Sequence, residues 1–204
     1  MKLYVSPYSY NARKALVTAF QLGLSPERIV VDLVKLEQRA PAYLALNPSG
    51  KVPVLVDGDF VLCESQAIMA YLADATPGQS LHPTELRARA QVNRWMFWSA
   101  NHWGVAISMI NWERAVKKAI GAGEPDAAQI ARGEGLFHDF SKVLDAQLAG
   151  RTWLAGDTLS LADISVACPL MVAAAAQLPI QPYRNIGAWF ERVQSLDAWK
   201  RAAG

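Results

Sequence analysis

Strand signals stop at Leu62, and everything after it reads as helix or turn. Before that point the two alternate. Lys2-Leu3-Tyr4-Val5 is a short β-prone run closed by Pro7. From Asn11 to Leu22 the residues Ala12, Ala15, Leu16, Ala19 and Phe20 recur at helical spacing, and Gly23 stops that helix. Ile29-Val30-Val31 is a second strand, and Pro41 to Leu46 is a short helix ended by Asn47-Pro48. Val52 to Val56 is a third strand, turned by Asp57-Gly58-Asp59 into Phe60-Val61-Leu62. Ser65 to Ala73 is a helix. The order βαβ, short helix, ββα demands a mixed sheet with helices packed on it.

The stretch Thr76 to Pro83 is turn-rich and lacks periodicity. Residues 1–76 are therefore expected to form an α/β domain, 77–84 a linker and 85–204 an all-helical domain. In the last, Arg87 to about Ile120 is expected as one long helix or two nearly continuous ones, ended at Gly121 to Pro125, and Asp126 to Leu148 as another. Ser160-Leu161-Ala162-Asp163 has capping-box spacing and opens an apolar helix expected to reach about Gln177. Two shorter helices, Ile186–Ser195 and Ala198–Ala202, close the chain.

Composition narrows the function classes. A formal net charge of +2, with basic residues scattered, gives no footprint for nucleic acid. Ile164 to Ile180 is the most apolar segment, but it is shorter than a membrane span and is interrupted by Pro169, Gln177 and Pro179. No signal peptide is legible. Cys63 and Cys168 have no CxxC or metal-ligand spacing, so a reducing, cytoplasmic setting is expected and no metal site. Cys63 precedes Glu64 and would lie near any site there, whereas Cys168 belongs to the core. His82 and His138 are expected as packing or surface residues.

Five pieces carry a resemblance. They are Ser6-Pro7-Tyr8-Ser9-Tyr10-Asn11-Ala12-Arg13-Lys14, Asn47 to Leu55 around Val52-Pro53, Leu62-Cys63-Glu64-Ser65-Gln66-Ala67-Ile68, Leu154-Ala155-Gly156-Asp157, and Ser160 to Ile164. In this order and spacing they resemble the glutathione transferase superfamily over nearly the whole chain. The resemblance implies a thioredoxin-like domain that binds glutathione, followed by an all-helical domain that binds an apolar electrophile. It implies glutathione as co-substrate and a homodimer as the assembly. A non-catalytic binding or docking protein, and a peroxidase or dehalogenase on the same fold, are the alternatives.

Residue roles follow from it. Val52-Pro53 looks like the family's cis-proline turn, whose backbone pairs with the cysteinyl part of glutathione. Glu64-Ser65 stands where a strand hands over to a helix. The free N–H groups there attract a carboxylate, and Glu64 suits the γ-glutamyl ammonium; Ser65 can equally be a plain cap. Lys35, Gln38, Arg39 and Lys51 are expected on the loops that flank the glycine end, Gln38 and Lys51 ahead of Lys35. Plant-like classes carry a histidine and a lysine where Gln38 and Arg39 stand, and often a glutamine at Lys51. For the sulfur, Ser9 and Ser6 are candidates, with Tyr8, Tyr10 and Asn11 behind them. Ser9 lies four residues before Arg13, as in bacterial members, which favours it; geometry decides. Arg13 is expected to be structural. Trp98, His102 and Trp103 are candidates for the second-substrate pocket, against the commoner reading of such a stripe as core or interface.

Overall fold

The computed structural model describes residues 1–203. The chain divides into two compact units: Met1–His82 joined by the residues from Ser195 on, and Pro83–Gln194.

The first unit is built on a four-stranded sheet of order β2-β1-β3-β4, comprising β1 (Lys2–Val5), β2 (Glu27–Val30), β3 (Val54–Asp57) and β4 (Phe60–Cys63). β1 and β2 are parallel, which requires a crossover, and α1 (Tyr10–Gln21) supplies it. β3 runs antiparallel to both β1 and β4. The pleat sorts β1 by face: Leu3 and Val5 are buried, and Tyr4 meets Tyr43 of α2 (Pro41–Leu46) edge to face at 6.0 Å. Ala12, Ala15, Val17 and Ala19 of α1 and Ile68, Met69 and Leu72 of α3 (Ser65–Asp74) are wholly or almost wholly buried, and the two helices pack together. Small residues on α1 let the helices approach closely.

The second unit holds α4 (Leu86–Trp98), α5 (Gly104–Asn111), α6 (Lys117–Ile120), α7 (Ala127–Leu148), α8 (Leu161–Ala167) and α9 (Arg184–Ser195), the last crossing the boundary by one residue. The long helix expected from Arg87 to Ile120 is present but contains two π-helical turns, Ser99–Trp103 and Trp112–Val116. Asp126 caps α7 by accepting from the Ala128 and Gln129 N–H groups.

Two sequence expectations need correction. The apolar helix expected to reach Gln177 ends at Ala167 and continues as the 3-10 turn Cys168–Val172. Pro169 is the cause, because it has no N–H to return to Ser165. The Ser165 carbonyl so released accepts from Ser99 Oγ at 2.8 Å, and the neighbouring Val166 O accepts from Trp103 Nε1 at 3.0 Å. The second correction concerns residues 195 onward, expected in the helical domain. α10 (Asp197–Arg201) packs on α1 in the first unit instead. There the Arg13 guanidinium lies 4.3 Å from the Trp199 ring and donates to Trp199 O at 3.0 Å, while Arg201 lies over Phe20.

The capping box forms at Ser160 and Asp163, as the spacing predicts. The buried Asp163 carboxylate accepts from Ser160 N–H, Leu154 N–H and the Trp189 indole at 3.0, 2.8 and 2.9 Å. Burial pushes this carboxyl up from the ordinary aspartate range, and those donors oppose the push.

Candidate active site

A cleft of about 400 Å³ opens in the first unit. Ser9, Asn11, Gln38, Lys51, Val52, Pro53, Glu64 and Ser65 are among its lining residues, as are Leu33, Arg39, Asn47 and Gly50. Ser9, Gln38, Lys51, Val52, Pro53, Glu64 and Ser65, which the sequence singles out for the site, are thus brought to one place.

Local structure explains how each arrives. Ser9 is the N-cap of α1, and its Oγ accepts from the Ala12 N–H at 3.2 Å. The capping role therefore holds, and the hydroxyl hydrogen stays available to a ligand. The Val52-Pro53 peptide is cis. The loop before it is pinned at Lys51 O, which accepts from Tyr43 Oη at 2.7 Å and Asn47 Nδ2 at 2.8 Å. Burial pushes the Tyr43 hydroxyl pKa up, which keeps that donor protonated. Glu64 adopts φ +71°, a region costly for a residue with a side chain, at the point where β4 hands over to α3. Ser65 is the first residue of α3, so its N–H and the next ones lack helical partners.

Ser6 is elsewhere. It is 3% exposed and lines a separate groove with Arg13, Leu16 and Arg28. Lys35 is exposed and paired with Asp32 at 3.3 Å, and neither Lys35 nor Cys63 lines the cleft. The Cys63 thiol lies 3.6 Å from Leu46 O, and burial, then the Glu64 charge, push its pKa up. It is a poor candidate for a reactive thiolate. Cys168 is wholly buried.

The aromatic candidates separate inside the helical unit. Trp103 is wholly buried, stacked on Phe137 with centroids 4.9 Å apart and its indole bonded to Val166 O. It is core, which removes it from the second-substrate candidates. Trp98 is half-buried between Trp95, Trp103 and Phe140, and His102 is exposed beside Phe140. His138 bonds Tyr183 Oη at 2.8 Å, and the buried His82 bonds Asp74 at 3.0 Å. Among the described residues no group of three or more His, Cys, Asp or Glu could hold a metal ion, and no helix is long and apolar enough to cross a membrane.

Sequence reasoning put Asn11 low for the sulfur, placed Arg39 only in passing and gave Leu33, Asn47 and Gly50 no site role. Asn47 and Gly50 flank the Pro48-Ser49 turn before the cis-proline, a signal that could have found them.

Comparison with known proteins identifies the family. The family described as glutathione S-transferase, N-terminal domain, matches residues 3–80, and the glutathione S-transferase, C-terminal domain, matches residues 105–197. Glutathione S-transferase F10 of Arabidopsis thaliana is 32% identical, over 97% of this chain and 94% of its own length. The crystal structure of glutathione transferase F7 from Populus trichocarpa superposes with a TM-score of 0.88 at 29% identity, covering 99% of this chain and 97% of that one. A glutathione S-transferase-I bound with lactoylglutathione superposes with a TM-score of 0.87 at 27% identity, over 99% and 97% of the two chains. The chain belongs to the glutathione S-transferase family, and its activity is that of a glutathione transferase.

Proposed function

We propose that Ser9 activates the sulfur of glutathione for attack on an electrophilic, apolar substrate. Glutathione is the co-substrate. What supports the reading is that Ser9, Val52-Pro53 and Glu64-Ser65, far apart in sequence, line one cleft.

The chemistry starts from a thiol pKa near 8.5, which leaves only a few per cent ionised at pH 7. Lowering it by about two units requires about 2.7 kcal/mol of preference for the thiolate. The Ser9 hydroxyl donates to the sulfur while its oxygen accepts from Ala12 N–H, and accepting one bond strengthens the other. The positive end of α1 adds to this. The thiolate then forms the carbon–sulfur bond, and a leaving group departs or a proton is taken up.

The rest of glutathione is assigned by charge. The γ-glutamyl carboxylate takes the Ser65 hydroxyl and the N-terminus of α3, and its ammonium takes Glu64. The Val52 backbone pairs with the cysteinyl unit. Gln38 and Lys51, with Arg39, hold the glycine carboxylate. Trp98 and His102 are the proposed contacts of the second substrate; the partial exposure of Trp98 and the exposure of His102 support this. A second copy of the chain is the proposed partner, through α3 and α4. Two free thiols fit a reducing cytoplasm.

The test is a titration of thiolate absorbance in the glutathione complex. Ser9→Ala removes a charge-assisted bond worth about 1.5–3 kcal/mol. It should raise the bound thiol pKa by about one to two and cut turnover roughly ten- to a hundredfold, with a smaller effect on glutathione affinity. Ser6→Ala should do neither. A pKa unmoved by Ser9→Ala would assign the sulfur's activation to another donor.

A further inference from the structure

Lys14 lies in α1 and is only 2% exposed, on a helix whose Ala12, Ala15 and Leu16 are also buried. Lysines are almost never buried this fully without a partner that repays the lost hydration. The Lys14 Nζ donates to Asn11 Oδ1 at 3.1 Å and lies 5.4 Å from the centre of the Tyr10 ring. Asn11 lines the glutathione cleft.

That bond decides which way the Asn11 amide faces. An ammonium has three donors and no acceptor, so the amide oxygen must point to Lys14. Ser65 Oγ stands 3.4 Å from the same oxygen. The amide NH2 is turned away from both, and among the described residues it has no hydrogen-bond partner. A donor is thus left unused on a side chain that lines the cleft, two residues after Ser9.

We propose that Lys14 is a positioning residue: it holds the Asn11 amide so that its NH2 is a second donor, beside the Ser9 hydroxyl, to the sulfur of bound glutathione. This rests on the reading of the cleft given above. A cation on the amide oxygen draws electron density from the nitrogen and strengthens its N–H as a donor. A donor to the sulfur favours the thiolate over the thiol. Without Lys14 the amide is free to turn and present oxygen lone pairs to the sulfur, which disfavours the thiolate.

The test titrates thiolate absorbance in the glutathione complexes of wild type, Asn11→Ala, Asn11→Asp, Lys14→Met, Lys14→Arg and the double variant Asn11→Ala/Lys14→Met. Glu64, Arg39 and Lys51 also line the cleft and are constant through the series, so their fields cancel. The bound thiol pKa should rise by about one in Asn11→Ala and in Lys14→Met, and by more in Asn11→Asp. Lys14→Arg should stay close to wild type. The double variant should match the larger single effect, because Lys14 acts through Asn11.

Three results overturn the proposal: a pKa unmoved by Asn11→Ala, additive effects in the double variant, or weaker glutathione binding with the pKa unchanged. The last is what a purely structural lysine would give. If Lys14→Met does not fold, the two Asn11 variants and Lys14→Arg still decide. A wild type that binds no glutathione overturns the cleft reading and the Lys14 role together. A wild type that titrates normally leaves only Lys14 and Asn11 at stake.

Discussion

At Gly50 the backbone turns with φ +59°, and a Cβ there would lie 2.9 Å from Arg39 Nη1 and 3.0 Å from Gln38 O. The first neighbour is the end of a long side chain and can move. The second is backbone in the loop that lines the cleft, and cannot move cheaply. Gly50→Ala therefore meets a left-handed penalty of about 1–2 kcal/mol and also displaces Gln38 and Arg39. The thermal midpoint should fall by about 2–8 °C in a chain of this size, and glutathione affinity should fall with it. Calorimetry reads both, and an unchanged affinity would separate Gly50 from the site. The cleft residues legible beforehand at this scale were mostly those in motif pieces, Ser9, Lys51, Val52, Pro53, Glu64 and Ser65, with Gln38 outside them. Gly50 sits inside such a piece, but its reason lies in Arg39 and Gln38, eleven and twelve residues away, and no local pattern shows that. Asn11 was undervalued because an amide's direction depends on its neighbours, here Lys14 and Ser65.

α7 carries two glycines two residues apart, and they face different surroundings. Gly133 is buried, and a Cβ on it would stand 2.8 Å from Ile110 Cγ1 of α5. Gly135 is exposed, and a Cβ there meets nothing within 4 Å. Helix propensity alone would make both changes to alanine favourable by about 1 kcal/mol. Packing reverses the sign at the first. Gly133→Ala should destabilise by about 1–3 kcal/mol, the range for overpacking, while Gly135→Ala should stabilise by roughly 0.5–1 kcal/mol. Denaturant midpoints of the two variants provide the check, and equal shifts in one direction would refute the α5–α7 contact. Elements were largely legible where the signal is local: the Ser160–Asp163 box, the strand pair around Gly58, the cap at Asp126. The misreadings came from longer-range causes. The turns at Ser99–Trp103 and Trp112–Val116 each rotate the faces of the long helix away from a 3.6-residue count, so spacing could not tell core Trp103 from half-buried Trp98 or exposed His102. Pro169 was visible, but its consequence depended on Ser99 Oγ taking over the Ser165 carbonyl from far along the chain.

At the scale of the whole molecule, the division of the chain separates two properties, glutathione binding and self-association. Every residue lining the proposed glutathione cleft belongs to the first unit of one chain. The apolar side chains left in solvent include Phe60 and Val61 on β4, at 43% and 39% exposure, and Leu86 and Phe97 on α4, at 78% and 62%. Exposed groups of that size on a helix proposed to meet a second copy are the material of an interface. In a two-fold dimer the same patch serves both copies, so one substitution acts twice. The wild type should therefore scatter light as two chains at micromolar concentration. Phe97→Glu places an unpaired charge from each copy in the interface and should shift the mass to one chain. The Phe97→Glu monomer should still bind glutathione with an affinity within a few-fold of wild type, because the lining residues named above all belong to the first unit of one chain. A wild-type mass of one chain would remove the dimer. A dimer unaffected by Phe97→Glu would move the interface off that face of α4. A monomer that has lost glutathione binding would mean that the cleft depends on the second copy, for a side chain or for its shape.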